Sequence, residues 1–362
     1  MHTAAPTFAH VRRLAQTAQR NAHLIPAFLA TTLLSACDEA HPRQVYVDPV
    51  SDNGEISAWF YNMILCVDAV ILAIVLTVLV LALLKFRRKP GDDVLPEQSF
   101  GNMKLEVAWT VIPTLLIVAI TIPTLGGVFE LSKHPDVNQK IIEVEVTGKQ
   151  WWWEFDYKKE LISTGTDLHV EVGTQVILHM TSADVIHSWW VPRIGGKRDA
   201  TPGRTYPMYF RPNRVGTFDG QCAELCGASH ALMGTKIIVH PREGEDSYEN
   251  WVRKAQAGPV KPTTPAQEAG QKVFLTKGCV ACHNITGVAD LATGARSRTS
   301  GPNLTHVGSR IAIAGATLPN TPENIAKWVK NPQSVKPGAL MSNLGLNDQE
   351  ANDVAAYLTS LK

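Results

Sequence analysis

The stretch Gly220-Gln221-Cys222-Ala223-Glu224-Leu225-Cys226-Gly227-Ala228-Ser229-His230-Ala231-Leu232-Met233 brings two thiols, an imidazole and a thioether close together. That is a soft donor set, suited to copper and unsuited to Mg or Ca. A further strong donor must come from elsewhere, and His169, His179, His187 and His240 are the histidines available nearby. The competing reading is a Cys222–Cys226 disulfide, expected of unliganded thiols in an oxidising compartment. It leaves the Cys/His/Met spacing unexplained.

Short β-branched segments surround this stretch. Residues 215–218 precede it, 235–239 follow it, and 141–146, 168–172, 175–179 and 206–210 repeat the pattern, with Gly165 and Gly173 near their ends. Partial alternation between turn residues predicts an all-β sandwich or barrel over residues 135–256. The donors then sit on a loop joining two strands, a common place for a site on a rigid framework.

Two apolar runs lie upstream. Residues 58–84 are interrupted by Asn62, Asp68 and Thr77, and residues 107–129 carry no charge between Glu106 and Glu130. At ~1.5 Å per residue the second extends about 35 Å, enough to cross a hydrocarbon core. Both runs are expected to span a membrane, within a segment 37–134, and Pro113 and Pro123 are tolerable there because neighbouring helices satisfy freed carbonyls. Lys85, Arg87, Arg88, Lys89 and Lys104 crowd the connection. Positive residues stay in the cytoplasm, so the hairpin has both ends outside. Asp68 is costly in lipid and is expected to face protein or water; Cys66 beside it reads as a packed thiol.

Residues 1–36 read as a signal peptide. Arg12, Arg13 and Arg20 precede an apolar run that ends in Leu34-Ser35-Ala36-Cys37, the order of a secretory signal. The last four residues resemble a bacterial lipoprotein box, which makes Cys37 the lipid-anchored mature N-terminus; the plainer alternative is an incidental cysteine.

Residues 257–265 form a Pro-rich linker, and the period beyond it becomes helical. Thr264-Pro265-Ala266-Gln267 and Thr321-Pro322 are capped helix starts, and Asn347 to Glu350 opens a last helix whose Val354, Leu358 and Leu361 share a face. Residues 266–362 thus form a small helical domain. Within it, Cys279-Val280-Ala281-Cys282-His283 is the attachment sequence of a c-type haem. Cys279 and Cys282 give the thioethers and His283 the proximal iron ligand. A zinc half-site lacks a second cysteine pair nearby, and a redox dithiol lacks its βαβ context. For the opposite axial position Met341 is the only methionine after Met233, with His306 as competitor. Gly301-Pro302-Asn303-Leu304 resembles the cytochrome c segment packed on the proximal side.

Averages conceal this organisation. The chain has 362 residues, 45% hydrophobic and 19% charged, with a net charge of +1 and a mean hydropathy of -0.03. These are ordinary globular values. The near balance of charge argues against bulk binding to nucleic acid, and six cysteines are too few for a disulfide scaffold.

Over nearly everything after residue 50 the chain resembles subunit II of haem–copper cytochrome c oxidase, in the bacterial form with a fused C-terminal cytochrome c domain. The quoted loop resembles the family's binuclear CuA loop, and Asp184-Val185-Ile186-His187-Ser188-Trp189 the segment supplying its first histidine. The resemblance implies a multidomain membrane protein: a two-helix transmembrane hairpin, an all-β cupredoxin-like Greek-key domain and a small all-α cytochrome c domain. It implies that Cys222 and Cys226 bridge two coppers, that His187 and His230 each ligate one, and that Met233 and the Glu224 carbonyl are weak axial ligands. The Glu224 side chain is then expected to reach a Mg shared with subunit I. In Trp151-Trp152-Trp153 the resemblance makes Trp151 the aromatic through which electrons enter; an interfacial aromatic patch is the alternative. Glu106-Val107-Ala108-Trp109-Thr110-Val111-Ile112-Pro113 resembles the start of the family's second helix, with Glu106 at the mouth of a proton pathway. A carboxylate favoured by the helix dipole is the plain alternative.

The expected function follows from the resemblance. Electrons pass from a cytochrome donor to haem c, to the copper pair, and on to haem in subunit I, where oxygen is reduced to water with proton pumping. No catalytic residue of that reaction lies in this chain. Expected partners are subunit I, other oxidase subunits, the donor and membrane lipid, at the bacterial inner membrane with the redox domains on the outer, periplasmic side. Two rivals are a membrane-anchored copper-delivery or thiol-redox protein, which requires a thioredoxin-like α/β fold, and a stand-alone multicentre electron carrier.

Overall fold

The structure, a computed structural model, describes residues 48–87, 91, 97, 98, 100–136, 138–289 and 301–362. The signal segment, Cys37, and Arg88 and Lys89 of the charged connection lie outside the described residues.

Two helices, α1 (Asp52–Lys85) and α2 (Met103–Leu131), are long and apolar enough to cross a membrane. α1 begins before its apolar run because Ser51 caps it. The Ser51 hydroxyl accepts from the Gly54 amide at 3.0 Å and donates to the Ile194 carbonyl at 2.6 Å. The extra turn ties the helix to the β domain, where the Arg211 amide donates to Asp52 at 2.8 Å. At the far end of α2, His134 Nδ1 lies 2.9 Å from the Tyr209 hydroxyl. The β domain therefore sits at the open end of the hairpin. A Cβ at Gly127 would lie 2.2 Å from the Phe60 ring, so glycine lets the two helices close there.

The β domain is built from two five-stranded sheets. One contains β1 (Ile141–Lys149), β2 (Trp152–Tyr157), β3 (Ile162–Gly165), β5 (Gln175–Ser182) and β8 (Tyr206–Phe210), in the order β3-β2-β1-β5-β8. The other contains β4 (Asp167–Glu171), β6 (His187–Trp190), β7 (Arg198–Ala200), β9 (Gly216–Cys222) and β10 (Gly234–His240), in the order β4-β10-β9-β6-β7. The β1–β5 and β4–β10 pairs are parallel, so the chain crosses between sheets and gives a cupredoxin-like sandwich. Trp153, Phe155, Leu168, Leu178, Met180 and Trp189 are fully buried between them, each large side chain contributing ~1.5–3 kcal/mol relative to exposure. This sandwich is not the α/β fold that the thiol-redox rival requires.

Four strands have no alternating signature. β2 buries five consecutive residues, β3 and β6 are four residues long, and β7 is three. Helix α3 (Tyr248–Gln256) also departs from the all-β expectation; its Trp251 stacks on His169 with ring centroids 4.2 Å apart.

Beyond the linker come α4 (Pro265–Thr276), the short pair β11 (Ala312–Ile313) and β12 (Leu318–Pro319), α5 (Pro322–Lys330), α6 (Pro332–Val335) and α7 (Asp348–Ser360). Phe274, Ile325, Val354, Tyr357 and Leu358 form their core. Thr264 caps α4, but the Gln267 side chain accepts from the Thr263 amide rather than that of Thr264, so the reciprocal bond is displaced by one residue. Asn347 and Glu350 make the full capping box at 2.9 and 3.1 Å. A Cβ at Gly270 would meet the Asp353 carbonyl at 2.0 Å, which fixes glycine where α4 crosses α7.

The helical domain packs directly on the sandwich. The Gly234 amide donates to the Gly315 carbonyl at 2.8 Å, and the Ile311 amide to Asp167 at 2.9 Å.

Candidate functional site

β9 and β10 pair from Gly216↔Val239 to Gln221↔Gly234, so Cys222 to Met233 form the loop capping that hairpin. β6 joins β9 through Trp189↔Cys222, a register that brings the first residue of β6, His187, to the cysteines. The ligating atoms of His187, Cys222 and Cys226 lie within 4.8 Å of one another, and all three residues are buried. Cys226 Sγ is 3.7 Å from Cys222 Sγ, 3.5 Å from His230 Nδ1 and 3.8 Å from Met233 Sδ. The Glu224 carbonyl lies 3.2 Å from Cys222 Sγ. Both cysteines are free, which corrects the disulfide alternative. His169 and His240 stack on each other instead, with a 2.8 Å contact between ring nitrogens, and His179 stands within β5 opposite Pro207.

The donor set fits a metal. His187 Nδ1 is buried without a hydrogen-bond partner, whereas its Nε2 donates to Asp184 at 2.8 Å. An unsatisfied buried nitrogen costs about 1–3 kcal/mol, and a carboxylate on the opposite nitrogen is how metal-binding histidines are commonly oriented. Burial alone would raise the Asp184 carboxyl, but hydrogen bonds from His187, Gln150 and Val185 hold it below its ordinary value. The hydrogen bond between the two thiols lowers Cys222 against burial and raises Cys226, so before a metal binds the pair favours a single thiolate, on Cys222. Gly148 makes room for the ring, since a Cβ there would lie 2.8 Å from His187 Cδ2.

Trp151 joins this loop to a second site. Its Nε1 donates to the Cys226 carbonyl at 3.1 Å, and the Gln150 amide group donates to the same oxygen at 2.7 Å. Trp151 also lines a cavity of about 330 Å³ whose wall includes Cys279, Cys282, His283 and Met341. His283 Nδ1 donates to the Pro302 carbonyl at 2.9 Å, which leaves Nε2 for a metal. Burial lowers the pKa of this imidazole and favours the neutral, ligating form. A Cβ at Gly301 would press to 2.3 Å from the ring, so the segment 301–304 packs against His283. His306 is turned away, its Nε2 3.0 Å from the Ala257 carbonyl at the linker. Arg310 lines the cavity with a buried, unpartnered Nε, a cation suited to the carboxylates of a haem.

The remaining expected residues lie apart. Glu106 is in the first turn of α2, where its carboxylate accepts from the Asn102 amide at 3.2 Å. Glu224 is half-buried and, unlike Glu106, stands on the Cys222–Met233 loop itself, and Cys37 is outside the described residues. Sequence reasoning gave no role to Asp184, Gln150, Arg310 or Lys336. Only Asp184 carried a usable signal, a carboxylate three residues before a candidate ligand.

Comparisons with known proteins follow the same division. The family described as cytochrome C oxidase subunit II, transmembrane domain, matches residues 43–126, its periplasmic domain matches 158–240, and cytochrome c matches 267–362. A cytochrome c oxidase subunit 2 from Alkalihalophilus pseudofirmus is 38% identical over 97% of this chain and 99% of its own length. One from Bacillus sp. strain PS3 is 36% identical over 76% of this chain and 80% of its own. The crystal structure of the periplasmic domain of subunit II of cytochrome oxidase from Bradyrhizobium japonicum is 30% identical, covering 34% of this chain and 96% of its own, with a TM-score of 0.31. The chain therefore belongs to the cytochrome c oxidase subunit II family, with a cytochrome c domain following the copper-site domain.

Proposed function

We propose that this chain takes electrons from a cytochrome donor at a haem held by Cys279, Cys282, His283 and Met341, and delivers them through a binuclear copper site to subunit I. The copper pair is assigned to His187, Cys222, Cys226 and His230, with Met233 and the Glu224 carbonyl as weak ligands. Bound there, haem and copper supply one-electron carriers feeding the haem of subunit I, where oxygen is reduced to water with proton pumping. The observation that carries this reading is Trp151, which touches the copper loop with its indole N–H and also lines the haem cavity. It is 7% exposed. Electrons therefore reach it from the cytochrome domain of the same chain rather than from a docked soluble donor.

The chain's own residues hold this geometry. Asp184 fixes the His187 ring, Pro302 fixes that of His283, and the two rigid sheets keep the loop still between redox states. The hairpin is assigned to the inner membrane with both redox domains on the periplasmic side, in accord with the positive charge of its connection. We assign Glu106 to the mouth of a proton pathway, the Glu224 side chain to a Mg at the subunit I boundary, and Cys37 to a lipid anchor.

Spectra of the intact oxidase test the assignment. A delocalised two-copper EPR signal and a c-type haem band are expected together, and Cys222→Ser should abolish the first while preserving the second. An unchanged copper signal overturns the ligand set. Isolation of a lone chain in mild detergent would favour the stand-alone carrier instead.

A further inference from the structure

Lys336 follows α6 and is 3% exposed in the wall of the haem cavity, where burial lowers its pKa to about 7 and its hydrogen-bond acceptors favour the charged form. Burying an ammonium is costly unless its three N–H donors are all met. Three carbonyls meet them: Trp151 at 2.6 Å, Leu232 at 2.8 Å and Ala314 at 2.8 Å. Two acceptors belong to the copper-site domain; the third, like the lysine itself, belongs to the cytochrome domain. Trp151 is the residue whose ring donates to the Cys226 carbonyl, and Leu232 precedes Met233.

The turn presenting the third carbonyl is shaped for this contact. Ala314, Gly315 and Ala316 all have positive φ, at 54°, 66° and 60°, a conformation that persists only where its surroundings hold it. It turns the Ala314 carbonyl to Lys336 and the Gly315 carbonyl to the Gly234 amide, 2.8 Å away. A Cβ at Gly315 would lie 2.5 Å from Lys336 Nζ and 2.6 Å from the Trp151 carbonyl. The Leu232 carbonyl also accepts from the Thr317 hydroxyl at 3.0 Å.

We propose that Lys336 is a positioning residue for electron transfer between the two centres: its ammonium clamps the cytochrome domain to the copper loop through the Trp151, Leu232 and Ala314 carbonyls. This rests on the electron route given under Proposed function. An apolar contact at this point could slide, whereas three directed, charge-assisted hydrogen bonds fix the orientation of one domain on the other.

The test uses the intact oxidase with haem and copper in place. A photoreductant delivers one electron to haem c, and its arrival at copper is followed optically. Lys336→Met keeps the length of the stem and removes the donors. It is expected to slow transfer about tenfold, in line with the sensitivity of reactions to small misplacements, with both spectra unchanged and faster amide hydrogen exchange over residues 311–318. Gly315→Ala attacks the same joint while keeping the lysine, and is expected to do the same; it serves if Lys336→Met does not assemble. Wild-type transfer and exchange in either variant, with both spectra intact, overturn the proposal. A wild-type oxidase that passes no electron from haem c to copper overturns the underlying route, and the proposal with it.

Discussion

The indole N–H of Trp151 donates to the carbonyl oxygen of Cys226 at 3.1 Å, so one hydrogen bond joins the wall of the haem cavity to a candidate copper ligand. Trp151→Phe keeps a buried aromatic ring but removes this donor and the pyrrole part of the indole, which costs about 1 kcal/mol for the hydrogen bond and about as much again for the space left behind. The two-copper EPR signal and the haem band should be unaffected, while transfer between the centres slows about tenfold because the ring loses its fixed position. Flash-induced electron transfer in the purified oxidase measures this. A wild-type rate would leave Trp151 as interface packing alone.

Asp184 is the next point of control. It accepts from His187 Nε2 at 2.8 Å and from the Gln150 amide at 2.8 Å, so it sets both the ring and the chain entering Trp151. Asp184→Asn preserves shape and removes the charge that favours the ligating tautomer. Copper affinity should fall roughly 10–100-fold, the usual cost of losing such a partner. Copper competition with a chelator reads this directly, and haem content serves as the control.

Much of this site was legible in the sequence because its donors are local. Cys222 to Met233 lie on one loop, and Cys279 to His283 on one turn, so spacing pointed to a soft, copper-type donor set and a c-type haem, while the binuclear arrangement came only from the family resemblance. His187 was not reachable by spacing, since it arrives through the β6–β9 register, and only the family resemblance selected it. Periodicity found the strands whose faces alternate between core and surface. It missed β2, buried along nearly its whole length, and β7, too short to alternate. The joint at Lys336 was invisible because its three acceptors are backbone carbonyls, which any residue type can supply.

The two candidate axial ligands of the haem separate cleanly. Met341 lines the cavity with His283, and His306 reaches the Ala257 carbonyl outside it. A thioether ligand raises a haem's reduction potential. Met341→Ala should therefore lower the midpoint potential and leave covalent attachment at Cys279 and Cys282 intact, whereas His306→Ala should leave the potential unchanged. Redox titration of the haem band distinguishes them; the opposite pattern would reassign the ligand.

Asp167 makes the contact between the two soluble domains sensitive to acid in an unusual direction. Burial raises its carboxyl to about 6, despite the Ile311 amide and the nearby charges of Arg310 and Lys236, which pull it down. A folded pKa above the unfolded value means stability is fully present below about pH 4 and is lost as pH rises through about 6, by up to about 3 kcal/mol. Asp167→Asn keeps an oxygen for the Ile311 amide and removes the ionisation. The variant should match the wild type near pH 4 and exceed its stability at pH 7, with the difference growing between those values. Thermal unfolding of the oxidase-bound chain, followed at the haem band from pH 4 to 7, provides the comparison; parallel profiles would show that Asp167 stays ionised in the fold.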